Sequence, residues 1–300
     1  MNIKPFLVKP DTKVSLSKYR TDDTNSFKSK SNAQDKLDEN IAQMAELQSK
    51  LYAQDKLSLL IIFQALDGGG KDSTIKHVMT GLNPQGTQVF SFKQPSKGEL
   101  DHDYLWRISK SLPEKGRIGI FNRSHYEEVL VVRVHNLLEQ QKIPDRYLND
   151  NIWKMRYRQI NDFERYLYET GTYILKFHLH ISKEEQRKRF LKRIEDPGKN
   201  WKISDEDMKE RDYWDDYQKC YQDAISATST RYAPWYIIPG DKKWFARLAV
   251  SEVIVQTLDS MNLSYPKISR EQEEKLQKMK EKLLSEAHEG DKNGKNNDDK

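Results

Sequence analysis

A single cysteine, Cys220, stands among 300 residues. A disulfide framework within the chain is therefore impossible, and a reducing compartment is expected. No apolar run approaches the roughly 20 residues that a membrane-spanning helix needs. The opening stretch MNIKPFLVKPDTKVSL also lacks the apolar core of a secretion signal. A membrane role is not expected, and a cytoplasmic protein is. Net charge is scarce too: 51 Lys and Arg against 46 Asp and Glu leave only +5. That suits a small acidic ligand or a polyanion, and is too weak a bias to indicate nucleic acid. What is plentiful is charge of both signs, 32% of residues, beside 36% apolar residues. Such a chain closes a core only if much of its surface is charged helix.

Residues 1–30 are polar with scattered apolar anchors, Phe6, Leu7, Val14 and Leu16, and read as an arm laid over the surface. In AQDKLDENIAQMAELQSKLYA (33–53), Leu37, Ile41, Met44, Leu47 and Leu51 recur every three or four residues, which predicts an amphipathic helix. LSLLIIFQAL (57–66) is almost continuously apolar and runs into glycines, the pattern of a strand buried on both faces. Further strands are predicted at QVFSFK (88–93), RIGIFNRS (117–124), YILKFHLHIS (173–182) and PWYIIPG (234–240). Helices are predicted over 71–81, 101–112, 126–140, 145–170 and 242–261. Strands and helices in alternation predict an α/β fold, a parallel sheet covered on both faces. From about residue 267 the chain becomes densely charged. A solvated or partner-packed helix is expected in the first half of this tail, and disorder in its final dozen residues.

The first long strand ends in ALDGGGKDST (65–74). In an open parallel sheet, ligands bind beyond the carboxyl ends of the strands, and this loop lies there. Gly68, Gly69 and Gly70 allow positive φ, so that several backbone N–H groups turn inward on a phosphate. The helix start adds partial positive charge, and Lys71 spans the phosphoryl oxygens. The usual pattern G-x-x-x-x-G-K-[ST] asks for glycine at Ala65 and a hydroxyl at Asp72. A plain βα turn with a surface lysine is the competing reading, disfavoured because strand, glycines, lysine and helix follow in the right order. A carboxylate at Asp67, among amides that cradle phosphate, would repel the ligand. It is therefore read as binding Mg²⁺ or orienting an accepting phosphate oxygen, with a turn residue as the plainer alternative. At the next strand end, Asn122 occupies the place of a magnesium-binding carboxylate, and Arg123 faces the same crevice as a phosphate clamp. Glu127, one helical turn on, shares that face; a salt bridge to Arg123 is its other reading.

Residues 183–211, KEEQRKRFLKRIEDPGKNWKISDEDMKER, hold ten basic against eight acidic residues. A helix carrying Arg189 and Arg193 on one face, a Pro197-Gly198 break and a second helix capped by Ser204 and Asp207 have the form of a mobile lid. Charge alone favours a solvated helix face here. His178 and His180 share a strand face without an evident third ligand and are read as structural. Cys220 has no evident base beside it. The six tryptophans are read mostly as core or lid anchors.

Five long stretches then align with one family: LDGGGKDSTIKHVMTGLNPQG, FSFKQPSKGELDHDYLWR, IFNRSHYEEVLVVRVH, KRIEDPGKNWKISDEDMKERDYWDDY and APWYIIPGDKKWFARL. Together they resemble the polyphosphate kinase 2 family, above all its class III members, which phosphorylate nucleoside mono- and diphosphates. The resemblance runs from about residue 5 to about 265 and leaves the tail uncovered. It implies a P-loop kinase-like three-layer α/β/α sandwich at 31–265 with a helical lid at 183–211, between an arm at 1–30 and a tail at 266–300. The implied reaction is Mg²⁺-dependent transfer of the terminal phosphoryl group of inorganic polyphosphate to a nucleoside mono- or diphosphate, reversible, with Mn²⁺ as a substitute metal. Asp67, Lys71 and Arg123 are the implied catalytic residues, and Asp67 with Asn122 the implied metal ligands. Gly68, Gly69, Gly70, Lys71, Asp72, Ser73, Arg193 and Lys202 would hold phosphate, and Asn122 and Glu127 would face the nucleotide. Arg211 is a further candidate. The family's loop reads approximately G-x-D-A-A-G-K-D-G-T, and this chain departs from it at Ala65, Gly68, Gly69 and Ser73. A homo-oligomer is expected from the arm and the exposed amphipathic helices. An ATP-dependent nucleoside or nucleotide kinase on the same scaffold is the alternative, which the loop alone does not separate.

Overall fold

The computed structural model describes residues 1–294. Its first strands and helices are β1 (Leu7–Val8), α1 (Lys30–Gln54), β2 (Ser58–Gln64), α2 (Lys71–Val78), β3 (Thr87–Ser91), α3 (Lys97–Leu100) and α4 (Trp106–Ser109). There follow β4 (Ile118–Asn122), α5 (Val131–Val134), α6 (Ile152–Glu169), β5 (Thr172–His180) and α7 (Lys183–Glu195). The last are α8 (Asp205–Asp212), α9 (Trp214–Thr228), β6 (Trp235–Pro239), α10 (Lys243–Ser260) and α11 (Arg270–Gly294). Two compact units result, Met1–Ser264 and a second from Tyr265 onward. Among the described residues no helix is long and apolar enough to cross a membrane.

All seven residues of β2 are buried, so helices must cover both faces of the sheet it centres. Leu59, Ile61 and Phe63 pack with α1, α2 and α10. Leu60 and Ile62, pointing the other way, pack with α6 and α9. The result is the three-layer α/β/α sandwich the sequence implies. The sheet has six strands in the order β1-β6-β5-β2-β4-β3, and the five strands from β6 to β3 are parallel to one another. The path from β2 to β3 passes β4, and the path from β4 to β5 returns across β2. The direction of winding thus reverses between β2 and β4, where such sheets place their ligands. Phe63 pairs with Asn122 in register, so both strands end at the same height beside that crevice.

Several expectations are corrected. The arm is more than a surface wrap: β1 adds an antiparallel edge to β6, with Phe6, Val8, Val14 and Leu16 buried. Residues 126–140 are not one helix. The 3₁₀ turns His125–Val129 and Leu137–Gln140 flank the single-turn α5, because four β-branched valines lower helix propensity and Asn136 adopts φ 50°. Within 101–112 only α4 is helical, since the Asp103 Oδ1 accepts from the Leu105 N–H at 2.9 Å and forms a turn instead. The helix expected from 145 begins at Ile152, after a similar turn in which Asn149 Oδ1 accepts from the Asn151 N–H at 2.9 Å. In the tail, α11 runs to Gly294 and exceeds the half-length expected. The disorder expected at the chain end falls in part on 295–300, outside the described residues.

Candidate active site

The loop between β2 and α2 turns on two left-handed glycines, Gly68 at φ 77° and Gly70 at φ 97°, conformations open mainly to glycine. Gly69 is required for a different reason: a Cβ there would lie 2.5 Å from the Ala65 Cβ. Ala65 and Gly69 are therefore matched departures from the family loop. Lys71 is buried, and its ammonium donates to the Ala65 carbonyl at 2.7 Å. Burial pushes its pKa down, against the carboxylate of Asp67.

The loop is held from behind by α7. Arg189 Nη1 donates to the carbonyls of Gly68 and Gly69 at 2.9 and 3.1 Å, and its Nη2 to that of Gly240 at 2.6 Å. Gln186 Nε2 donates to the Asp67 carbonyl at 2.8 Å. With these carbonyls drawn toward α7, the N–H groups of the same peptides point the other way; that of Gly69 is taken by the Leu66 carbonyl at 2.9 Å, which leaves its neighbours for an anion. The sequence pairs Arg189 with Arg193 on one helix face; the structure places it as the buttress of the loop.

Arg123 stands at φ 64°, a strained conformation for a side chain of this size and one that clusters at functional sites. Its N–H donates to the Phe63 carbonyl at 3.1 Å, and its Nη2 to Asp67 Oδ1 at 2.8 Å. Beside it, Asn122 Nδ2 donates to Asp72 Oδ1 at 2.6 Å. The end of β4 thus engages both loop carboxylates. Burial works against ionisation of Asp67, but Lys71, Arg123 and Arg193 outweigh it and hold the carboxyl below the usual range. Burial likewise opposes the Arg123 charge, and Glu127 and Asp67 more than restore it. Burial pushes the Glu127 pKa up, against the opposing charges of Arg123 and Lys71.

Of the remaining sequence candidates, Ser73 Oγ accepts from Arg247 Nη2 at 2.8 Å. Arg193 acts on Asp67 electrostatically and lies over the Phe190 ring at 5.6 Å. Lys202 is not brought to the loop: its ammonium lies over the exposed Trp201 ring at 5.0 Å. Arg211 Nη1 donates to Gln186 Oε1 at 2.8 Å, and so reaches the loop through one intermediary. Sequence reasoning missed Gln186, Lys243 and Arg247. For the last two the signal was KKWFARL (242–248), two cations four apart at a helix start beyond a strand end.

Beyond Arg123 and Glu127 opens a cavity of about 980 Å³, walled in part by Phe92, Tyr104, Arg156 and Phe163, within the usual size range for small-ligand pockets. Arg156 lies under the Tyr104 ring at 4.6 Å and pairs with Glu128 at 3.1 Å. Among the described residues no group of three or more His, Cys, Asp or Glu side chains converges as a metal cage. Asp67, Asp72 and Asn122 nevertheless suit Mg²⁺, which takes one or two carboxylates and completes its shell with substrate phosphates and water. His178 and His180 are buried, and the His178 ring lies tilted by 37° against Tyr221, centroids 4.3 Å apart. Cys220 is buried in α9.

A parallel sheet whose central strand feeds a glycine–lysine loop at its winding reversal is the architecture of the P-loop kinases. More narrowly, the chain belongs to the polyphosphate kinase 2 family, whose model matches residues 27–266. The ADP-polyphosphate phosphotransferase of Rhodopseudomonas palustris is 48% identical over 283 residues, 94% of this chain and 98% of that protein. The AMP/ADP-polyphosphate phosphotransferase of Meiothermus ruber is 46% identical over 265 residues, 88% of this chain and 96% of that one. The crystal structure of Polyphosphate Kinase 2 from Arthrobacter aurescens TC1 superposes with a TM-score of 0.82 at 39% identity, covering 91% of this chain and 95% of that one.

Proposed function

We propose that this protein transfers the terminal phosphoryl group of inorganic polyphosphate to nucleoside mono- and diphosphates, AMP to ADP and ADP to ATP, reversibly, as a class III member of its family. The observation that carries this reading is the cavity of about 980 Å³ opening from Arg123 and Glu127, in a chain so close to relatives named for AMP and ADP as acceptors. In the proposed reaction, Lys71 and the loop amides hold the phosphoryl group in flight. Arg123, kept cationic by its carboxylate neighbours, offsets charge on the equatorial oxygens. Asp67, held ionised, and Asn122 would bind Mg²⁺ or, in its place, Mn²⁺, which would neutralise charge building on the bridging oxygens. The acceptor is a phosphate oxygen already ionised at neutral pH, so positioning and electrostatics suffice and no strong base is needed. The α7–α8 segment would close as a lid and exclude water. The unpaired Cys220 supports a reducing, cytoplasmic setting.

Incubation with AMP or ADP, Mg²⁺ and long-chain polyphosphate tests the reading; failure to form ADP or ATP, with activity from ATP as donor, would favour the nucleotide-kinase alternative. Lys71→Ala is expected to lower kcat by at least about 100-fold, and unchanged turnover would remove the loop from the mechanism. We further propose a homo-oligomer, supported by Leu276, Met279 and Leu283, exposed at helical spacing on α11. A monomer mass by light scattering at assay concentration would exclude it.

A further inference from the structure

Cations gather on the side of the loop away from the cavity, and the mechanism above does not use all of them. Arg189 ties the loop to the turn between β6 and α10, donating to Gly68 at 2.9 Å and to Gly240 at 2.6 Å. Lys243, at the start of α10, follows that tied turn by three residues. Arg247, four residues later on the same helix face, reaches Ser73 Oγ at 2.8 Å. Lys243 feels Arg189, Arg193 and Arg247, with Glu185 as the opposing carboxylate, and Glu185 is already paired with Arg189 Nε at 2.7 Å. Arg247 Nε is buried without a hydrogen-bond partner. Burial first, and the neighbouring arginines next, push the Lys243 pKa down. Like charges held this close are unfavourable unless an anion joins them, and Lys243 remains exposed to receive one.

We propose that Lys243 and Arg247 form a donor subsite for the phosphates of inorganic polyphosphate behind the one being transferred, so that the donor chain leaves the loop along α10. This rests on the polyphosphate reading above. In-line transfer brings donor and acceptor to the moving phosphoryl group from opposite sides, and the two sides differ in chemistry. The cavity packs on the face of the sheet covered by α6 and α9 and has aromatic walls. The cationic strip lies on α10, which covers the other face, where a chain bearing repeated negative charge and no base finds its complement. In the transfer, the bond from the terminal phosphorus to its bridging oxygen breaks, and that oxygen keeps the electron pair on the shortened chain. A new bond forms to the acceptor phosphate oxygen. A donor reaching past the loop gains the strip, whereas a short donor does not, so the subsite sets preference for chain length.

The test compares long-chain polyphosphate with tripolyphosphate as donors for ADP, in the wild type, Lys243→Gln, Arg247→Gln and the double variant. Each single change is expected to raise KM for the long chain about five- to tenfold, the worth of one charge-assisted contact. KM for ADP should stay within about twofold, Lys243→Arg should restore most of the loss, and the advantage of the long chain over tripolyphosphate should shrink. Binding of end-labelled polyphosphate by anisotropy, without nucleotide, should weaken in parallel. An unchanged long-chain KM in a double variant with wild-type circular dichroism and melting would overturn the subsite. So would a rise in KM for ADP matching that for the donor. A wild type inert with every polyphosphate but active with ATP would instead overturn the underlying reading.

Discussion

A Cβ built on Gly69 falls 2.5 Å from the Ala65 Cβ and 2.8 Å from the Leu66 carbonyl oxygen. One methyl group fits there, and Ala65 supplies it. Gly69→Ala alone should therefore displace the loop, lowering stability by about 1–3 kcal/mol, the usual range for overpacking, and kcat/KM by at least about tenfold. Ala65→Gly combined with Gly69→Ala should recover most of both, leaving a remainder from the Leu66 contact. Denaturant midpoints and initial rates for the three variants decide it; a double variant no better than Gly69→Ala would refute the exchange. At this scale the loop was largely legible, because strand, glycines and lysine are contiguous in sequence. Arg189 was not. In KEEQRKRFLKRIE nothing separates it from Arg187, and only the return of α7 against the loop leaves one buried on Gly68 and the other exposed with Glu184.

Among the elements, the two helices of the proposed lid are joined to the loop by a chain of side-chain contacts. Arg211 on α8 donates from Nη1 to the Lys183 carbonyl at 3.0 Å and to Gln186 Oε1 at 2.8 Å. Gln186 in turn holds the Asp67 carbonyl at 2.8 Å. On its other side α8 is held by Glu210, which accepts from Tyr217 OH at 2.6 Å and pairs with His135 at 2.9 Å. Arg211→Met cuts the first tie while leaving the second. It should speed amide exchange across α7 and α8 and reduce kcat severalfold, with melting lowered by no more than about 3 °C. Unchanged exchange in that segment would show that the contact does not hold the lid. Elements buried on both faces, such as β2 and β5, were readable because continuous apolar runs have few other uses. The stretch after β4 was not, since HYEEVLVVRVHNLLEQ has helical spacing but valines that resist a helix, and its path is set by packing around the cavity.

Across the whole molecule, one buried polar cluster joins the central sheet to the layer that walls the cavity. Lys176, in the middle of β5, donates to Glu164 Oε2 at 2.5 Å, Tyr126 OH at 2.9 Å and the Thr228 carbonyl at 2.7 Å. Glu164 also accepts from Tyr126 OH at 2.9 Å and approaches His125 Nε2 at 3.4 Å. α6, β5, α9 and the turn after β4 therefore meet at one ion pair. The lysine was visible in YILKFHLHIS as an intrusion into an apolar strand, but its partner lies twelve residues earlier on a helix face and could not be named. Burial opposes ionisation of Glu164; Lys176 and His125 outweigh it and hold the carboxyl below the usual carboxylate range. A carboxylate depressed in the folded state stabilises above its unfolded pKa, and that contribution is lost as pH falls through the folded one. Glu164→Gln, which leaves Lys176 charged and unpaired in the core, should thus lose about 3–5 kcal/mol at neutral pH, a large share of the roughly 5–15 kcal/mol that a folded protein has. The gap to the wild type should narrow as pH falls below about 4.5, where the wild type loses the same interaction. Glu164→Leu with Lys176→Met should recover much of the neutral-pH loss, because it removes both charges together. Urea midpoints at pH 7 and at successively lower pH measure all three, and a gap that widens on acidification would contradict the assignment of an ionised Glu164.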